Sequence, residues 1–359
     1  MPHFHYDLAW TWTEEQYLEY VYQILAKVIE MMKKYPEYTF VLDQAYYLNK
    51  LIYHDMYTFD AINYYVRKGR IELVQGGWVM PDLNLVSAST LYSSYAKNSK
   101  FFKDHFDISP TVFWAIDCFG HHGMMPKIAT DVGCKLYVAW RGIPSFLPEI
   151  FNWEGADGTI IPVLNLKGGY SLYGSYQKDI KHAIKVSEGF IPMGSDFEMP
   201  SDELIKTILN NKDMKFSLPS LYFEEVNKML RREWWTLPTY RGEFFDPYSN
   251  GPTLTDSWST RIKVKQTFRN AEECKEMREV GIKEDDLIYG SFHDLICGTA
   301  LDAGYKPFWE KLNTDPHWQL DMIPKDGYCP DEDLEKAIEI WFEPDCGDAY
   351  WFRQYRDQP

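Results

Sequence analysis

Short apolar runs alternate with amphipathic stretches over roughly the first two hundred residues. That alternation restricts the chain to an α/β architecture built on parallel strands. From 14 to 34, Tyr17, Tyr20, Val21, Ile24, Leu25, Val28 and Ile29 recur at three- and four-residue spacing, which predicts a helix that Pro36 ends. A short strand is expected at 38–42, a helix at 46–68, and a strand at 70–74 running into Gly76 and Gly77. A helix at 87–106 leads to 111–117, which is apolar on both faces as a central parallel strand must be. A helix at 125–131, a strand at 135–140, a hairpin of 152–154 with 159–164, a helix at 180–186 and a strand at 189–193 continue the series.

Right-handed crossovers between such strands imply a sheet that is closed or nearly so. The expectation is a distorted parallel β/α barrel of about seven strands over 1–252. From 253 the strand signal stops, and 261–280 and 284–312 read as long helices, so a helical-bundle domain is expected over 253–314. The segment 315–359, rich in Pro, Gly and acidic residues, is left without an assigned fold.

In parallel α/β folds functional side chains collect at the carboxyl ends of strands. The chain opens with Pro2, His3, Phe4, His5, Tyr6, Asp7, Leu8, Ala9, Trp10. In an extended strand His3, His5 and Asp7 share one face, and two of the three can share one metal. Imidazole nitrogen and carboxylate oxygen both suit Zn²⁺, though another divalent ion is compatible. Asp117, Arg141 and Asp196 each end an expected strand, and the turn 76–82 falls at the same level. Taken singly each has a plain structural reading. HxHxD can be a solvated strand end, Asp117 and Asp196 are favoured helix N-caps, Arg141 can be a surface arginine, and His293–Asp294 can be a helix-end pair. Their coincidence at one end of the fold points to a site.

Composition narrows the ligand. A net charge of −16 excludes a nucleic-acid partner, since phosphate binding needs clustered cations. Aromatic residues make up 17% of the chain, more than a core needs, and aromatic rings are the usual platforms for sugars. The six cysteines (Cys118, Cys134, Cys274, Cys297, Cys329, Cys346) form no CxxC pair, so reduced thiols are expected. With no apolar window of membrane-spanning length and no signal-like start, a cytoplasmic protein without a membrane partner is expected; oligomeric state is not legible.

Five segments in order resemble glycoside hydrolase family 38, the α-mannosidases: 2–10; the GGWVMPD turn at 76–82; IDCFGH at 116–121; GSDF at 194–197; and HDLICGT at 293–299. The resemblance implies one catalytic zinc per chain, held by His5, Asp7, Asp117 and His293. It implies that Asp117 doubles as nucleophile, that Asp196 is the general acid and base, and that Trp10, Arg141 and Asp294 contact the sugar. The expected activity is zinc-dependent, retaining hydrolysis of terminal α-linked mannose from oligosaccharides. Such a mechanism needs one ionised and one protonated carboxyl group, and Arg141 with the metal would keep Asp117 ionised.

Three features depart from the family pattern. Ser195 replaces an aspartate, and Cys118 and Cys297 stand where other small residues are usual. The first strand also starts at Pro2, short for a strand that carries ligands at its tip. This last feature leads to the expectation of a fragment of a longer enzyme, or of a misassigned start, with a frayed first strand, weak metal affinity and low turnover. The alternatives are a metal-dependent carbohydrate deacetylase and a catalytically weak sugar-binding fragment.

Overall fold

The computed structural model describes residues 1–233, 236–249, 251–276 and 283–312. The unassigned segment 315–359, with Cys329 and Cys346, lies outside the described residues.

Helix α1 (Glu14–Lys34) forms where the periodicity places it. Gln16 Oε1 accepts from the Thr13 N–H at 3.0 Å, Glu14 and Glu15 fall in the first turn, and Lys33 and Lys34 fall in the last. These residues satisfy an end N–H and complement the helix dipole, while Val21, Ile24, Leu25 and Val28 are buried. Then follow β1 (Phe40–Leu42), α2 (Ala45–His54), α3 (Met56–Arg67), β2 (Ile71–Leu73), α4 (Ala88–Phe106), β3 (Val112–Trp114), α5 (Met125–Asp131), β4 (Leu136–Ala139), β5 (Ile150–Glu154) and β6 (Ile160–Asn165). The single helix expected at 46–68 is two. Asp55 leaves helical geometry and its side chain accepts from the Tyr57 and Thr58 N–H groups, capping α3.

After β6 come α6 (Ile180–Val186), α7 (Asp202–Leu209), α8 (Pro219–Glu233) and β7 (Thr239–Arg241), then α9 (Ile262–Glu276), α10 (Glu284–Gly290), α11 (His293–Cys297) and α12 (Tyr305–Leu312). The long helix expected at 284–312 is thus broken at Phe292 and again after Cys297, where Gly298 takes φ +91°, the left-handed C-cap conformation. Residues Met1–Leu312 form one compact unit, in which α10 packs against α4, α9 and α12.

Strands β1 and β2 pair in parallel, as do β3 with β4 and β4 with β6. A bridge between Gln75 and Phe113 joins β2 to β3. Residues 2–5 lie between β1 and 193–196, through parallel bridges His3 with Val41, Pro2 with Met193 and His5 with Asp196. The order is therefore 193–196, 2–5, β1, β2, β3, β4, β6, all parallel, with Tyr173 bridging Met193 in parallel on the side away from 2–5. Among the described residues no backbone ladder joins Tyr173 to β6, so the expected barrel is seen as an open parallel array. Strand β5 is antiparallel to β6, as the expected hairpin, and β7 adds outside it.

The first strand is held on both sides, not frayed. His3 N–H donates to Met193 O at 3.0 Å, His5 N–H to Ser195 O at 3.0 Å, and Val41 N–H to Pro2 O at 3.0 Å. Gly194 permits this approach, because a Cβ there would lie 2.2 Å from His3 O.

Candidate metal centre and active site

His5 and Asp7 lie on one face of the first strand and its extension, and Asp117 follows β3. His293 arrives from the other end of the chain, and the turn at 76–82 receives it. Asp82 N–H donates to Ser291 O at 3.0 Å, His293 N–H donates to Met80 O at 3.1 Å, and Pro81 bridges Phe292. One ligand atom from each of His5, Asp7, Asp117 and His293 lies within 4.8 Å of the other three, and all four residues are buried. His5 Nε2 is 3.0 Å from Asp7 Oδ1 and 3.8 Å from Asp117 Oδ2. His293 Nε2 is 3.6 Å from Asp7 Oδ1 and 3.5 Å from Asp117 Oδ2.

Two observations fit this set to a metal ion. The buried Nε2 atoms of His5 and His293 have no hydrogen-bond partner. His293 Nδ1, 3.0 Å from Met80 O, can donate only as the N–H tautomer, which turns the Nε2 lone pair into the cluster. Two imidazoles and two carboxylates suit a borderline divalent cation. His3 is buried on the same face but stands outside the cluster.

Electrostatics divides the carboxylates. Burial pushes the Asp117 carboxyl up, but Arg141 and the two histidines outweigh it and hold the group well below the ordinary range. Arg141 Nε reaches Asp117 Oδ1 at 2.8 Å, and its Nη1 donates to Pro252 O at 2.8 Å, so Arg141 is a buried partner, not a surface residue. Asp196 behaves oppositely. Burial and the charges of Asp7 and Asp117 outweigh His5 and raise it to about 7. Tyr170 OH donates to Asp196 Oδ1 at 2.8 Å. Asp294 is likewise raised to about 7, by burial above all, with its Oδ2 3.5 Å from His293 Nε2 and its Oδ1 accepting from Thr299 Oγ1. Trp10 follows on the loop after Asp7, half-buried, its carbonyl held by Leu301 N–H at 2.8 Å.

The departures fall into place locally. Ser195 is buried and hydrogen-bonds Ser171 Oγ at 3.1 Å. Cys118 Sγ donates to Pro81 O at 3.4 Å and Cys297 Sγ to Asp82 Oδ2 at 3.2 Å, so both thiols brace the 76–82 turn from the site side.

Sequence reasoning missed Asp43, Gln44 and Tyr170. Asp43 Oδ2 stands 3.9 Å from His5 Nδ1 and follows β1, the same strand-end signal that singled out Asp117. Gln44 donates to Tyr6 O at 2.9 Å and accepts from Met80 N–H at 2.7 Å, tying the His5–Asp7 segment to the residue that orients His293. Tyr170 sits in a loop and carries no sequence signal.

Together, fold and site define an α/β protein in which four buried donors, able to hold a metal ion, gather at the carboxyl ends of its strands. Residues 1–243 match the glycosyl hydrolases family 38 N-terminal domain, and the chain belongs to that family. An alpha-mannosidase of Saccharomyces cerevisiae is 22% identical over 343 residues, covering 84% of this chain and 32% of the relative. Alpha-mannosidase 2C1 of Homo sapiens is 28% identical over 291 residues, covering 75% and 27%. The chain thus spans about a third of the length of these curated relatives. The crystal structure of an alpha-mannosidase from Enterococcus faecalis V583 superposes with a TM-score of 0.73 at 18% identity, covering 87% of this chain and 40% of that one. Among the described residues no helix is long and apolar enough to cross a membrane.

Proposed function

We propose that this chain is the catalytic part of a zinc-dependent, retaining glycoside hydrolase that releases terminal α-linked mannose from oligosaccharides. The observation that carries the proposal is the buried His5, Asp7, Asp117, His293 cluster with its two unpartnered Nε2 atoms, beside one carboxyl group held well below the ordinary range and another raised to about 7. Residues 1–252 supply the α/β part, and 253–314 complete the site by contributing His293 and Asp294.

In this reading Asp117, kept anionic by Arg141, attacks the anomeric carbon, and Asp196 delivers its proton to the departing oxygen. In the second half Asp196 takes a proton from water, which releases the sugar from Asp117 with its configuration retained. Trp10 offers a ring face to the sugar, and Asp294 accepts from its hydroxyl groups. Zinc, when bound, would serve as Lewis acid and template for vicinal sugar hydroxyls. A cytoplasmic location is part of the proposal, in keeping with the free thiols of Cys118, Cys134, Cys274 and Cys297.

The test is release of nitrophenol from nitrophenyl α-mannoside, with and without a chelator and after zinc is restored. Loss with the chelator and recovery with zinc are expected. Deacetylation of an N-acetyl sugar with no mannoside cleavage would replace this reading. The anomer first formed, read by NMR, separates retention from inversion.

A further inference from the structure

Asp196 ends a segment paired to the first strand, and one side chain fixes its orientation. Tyr170 OH donates to Asp196 Oδ1 at 2.8 Å, the hydroxyl's one hydrogen bond among the described residues. Tyr170 is 6% exposed, too buried for water to take over that role freely. Its ring is wedged by others: 5.6 Å from Trp140 in an edge-to-face contact, 5.9 Å from His5 and 6.3 Å from His3, centroid to centroid. Trp140 is anchored in turn, its indole N–H donating to the carbonyl of Ile116, the residue before Asp117. A continuous packed path therefore runs from the backbone at Asp117 through Trp140 and Tyr170 to the carboxyl group of Asp196. Double displacement needs two carboxyl groups at a fixed separation, and this pair of rings packs between the segments that carry Asp117 and Asp196.

A neutral carboxyl group has one oxygen that donates and one that accepts. A phenol donating to Oδ1 occupies the accepting oxygen, which leaves the proton on Oδ2. We infer that Tyr170 is a positioning residue for the glycosidase reaction proposed above, holding Asp196 so that Oδ2 is the oxygen that protonates the leaving group. As the bond between the anomeric carbon and the leaving oxygen breaks, Asp117 bonds to that carbon and the Oδ2 proton moves to the leaving oxygen. The carboxylate left on Asp196 keeps the Tyr170 hydrogen bond, now charge-assisted, until it takes a proton from water. The inference rests on the glycosidase reading, and leaving-group dependence tests it.

Tyr170→Phe keeps the ring and removes only the hydroxyl. A phenyl mannoside needs its leaving oxygen protonated, whereas a 2,4-dinitrophenyl mannoside departs as a stable anion and needs little help. If Tyr170 positions the acid, the variant should lose about 100-fold in kcat/KM on the phenyl substrate and less than about 5-fold on the dinitrophenyl one, since general-acid assistance is worth about 100-fold or more. Asp196→Asn should show the same pattern, more strongly. Both substrates are read on one preparation, so their ratio does not depend on the fraction folded. Equal losses on the two substrates, with wild type cleaving both, would overturn this inference and leave the glycosidase reading standing. A zinc-loaded wild type that cleaves neither overturns both.

Discussion

Metal uptake by this chain should release two protons, so affinity should climb steeply with pH at and above neutrality. Burial alone would push His293 below its ordinary 6.5, but Asp294, Asp117 and Asp7 overcome it and hold the metal-free imidazole at about 10. His5 is moved the same way: burial opposes, and Asp7, Asp43 and Asp117 win, leaving it well above 6.5. A cation needs both Nε2 lone pairs, so it must displace both protons. While pH stays below both raised values, each displaced proton adds one power of ten in affinity per pH unit. His293 alone predicts about a tenfold gain between about pH 7 and 8 and His5, raised the same way, adds to it, whereas two imidazoles at the ordinary value would gain less than about twofold. Competition against a chelator of known pH dependence measures the slope, and an indicator in weak buffer counts the protons. His293→Ala should lower the slope by one proton as well as weakening binding. A flat affinity between those pH values would refute the reasoning, because it would mean the carboxylates do not charge the histidines before the metal arrives.

Three further outcomes follow from the same geometry. In the proposed role Asp196, whose carboxyl is raised, acts protonated, so kcat/KM should show an alkaline limb falling about tenfold per pH unit, and Asp196→Asn should remove this limb while cutting kcat by about 100-fold or more; an unchanged alkaline limb in the variant would assign it to another group. Arg141→Met leaves the buried Asp117 without its cation and should cost about 3 kcal/mol in urea unfolding of the metal-free protein, at the low end for a broken buried pair because His5 and His293 still face Asp117, and less once metal is bound. Glu272 of α9 accepts from Ser87 N at 2.9 Å, Ser87 Oγ at 2.6 Å and Thr90 Oγ1 at 2.7 Å, so Glu272→Ala should cost about 2 kcal/mol by leaving these donors at the start of α4 without their acceptor, with kcat unchanged; a melting temperature equal to wild type would show these bonds to be idle.

Local periodicity determined much of this protein. Helix α1 runs over the residues its apolar spacing marks, α4 starts after Ser87 as its pattern implies, and the 111–117 run carries the buried interior strand β3 at Val112–Trp114. The resemblance to family 38 implied His5, Asp7, Asp117 and His293 as one ligand set, and the structure brings those four together. Tertiary structure decided what period and motif do not encode. Breaking 284–312 into short helices goes against the helical pattern, and the break exists because the 76–82 turn takes the backbone of 291–293 and aims His293 at the cluster. The same is true of the first strand, which length alone marks as frayed and which neighbours on both sides hold in register. Tyr170 and Gln44 belong to this second class. Tyr170 acts through its hydrogen bond to Asp196, and Gln44 through hydrogen bonds to Tyr6 O and from Met80 N–H, each joining segments apart in sequence. A contact of that kind exists only after the chain has closed around it, so it leaves no trace in local spacing.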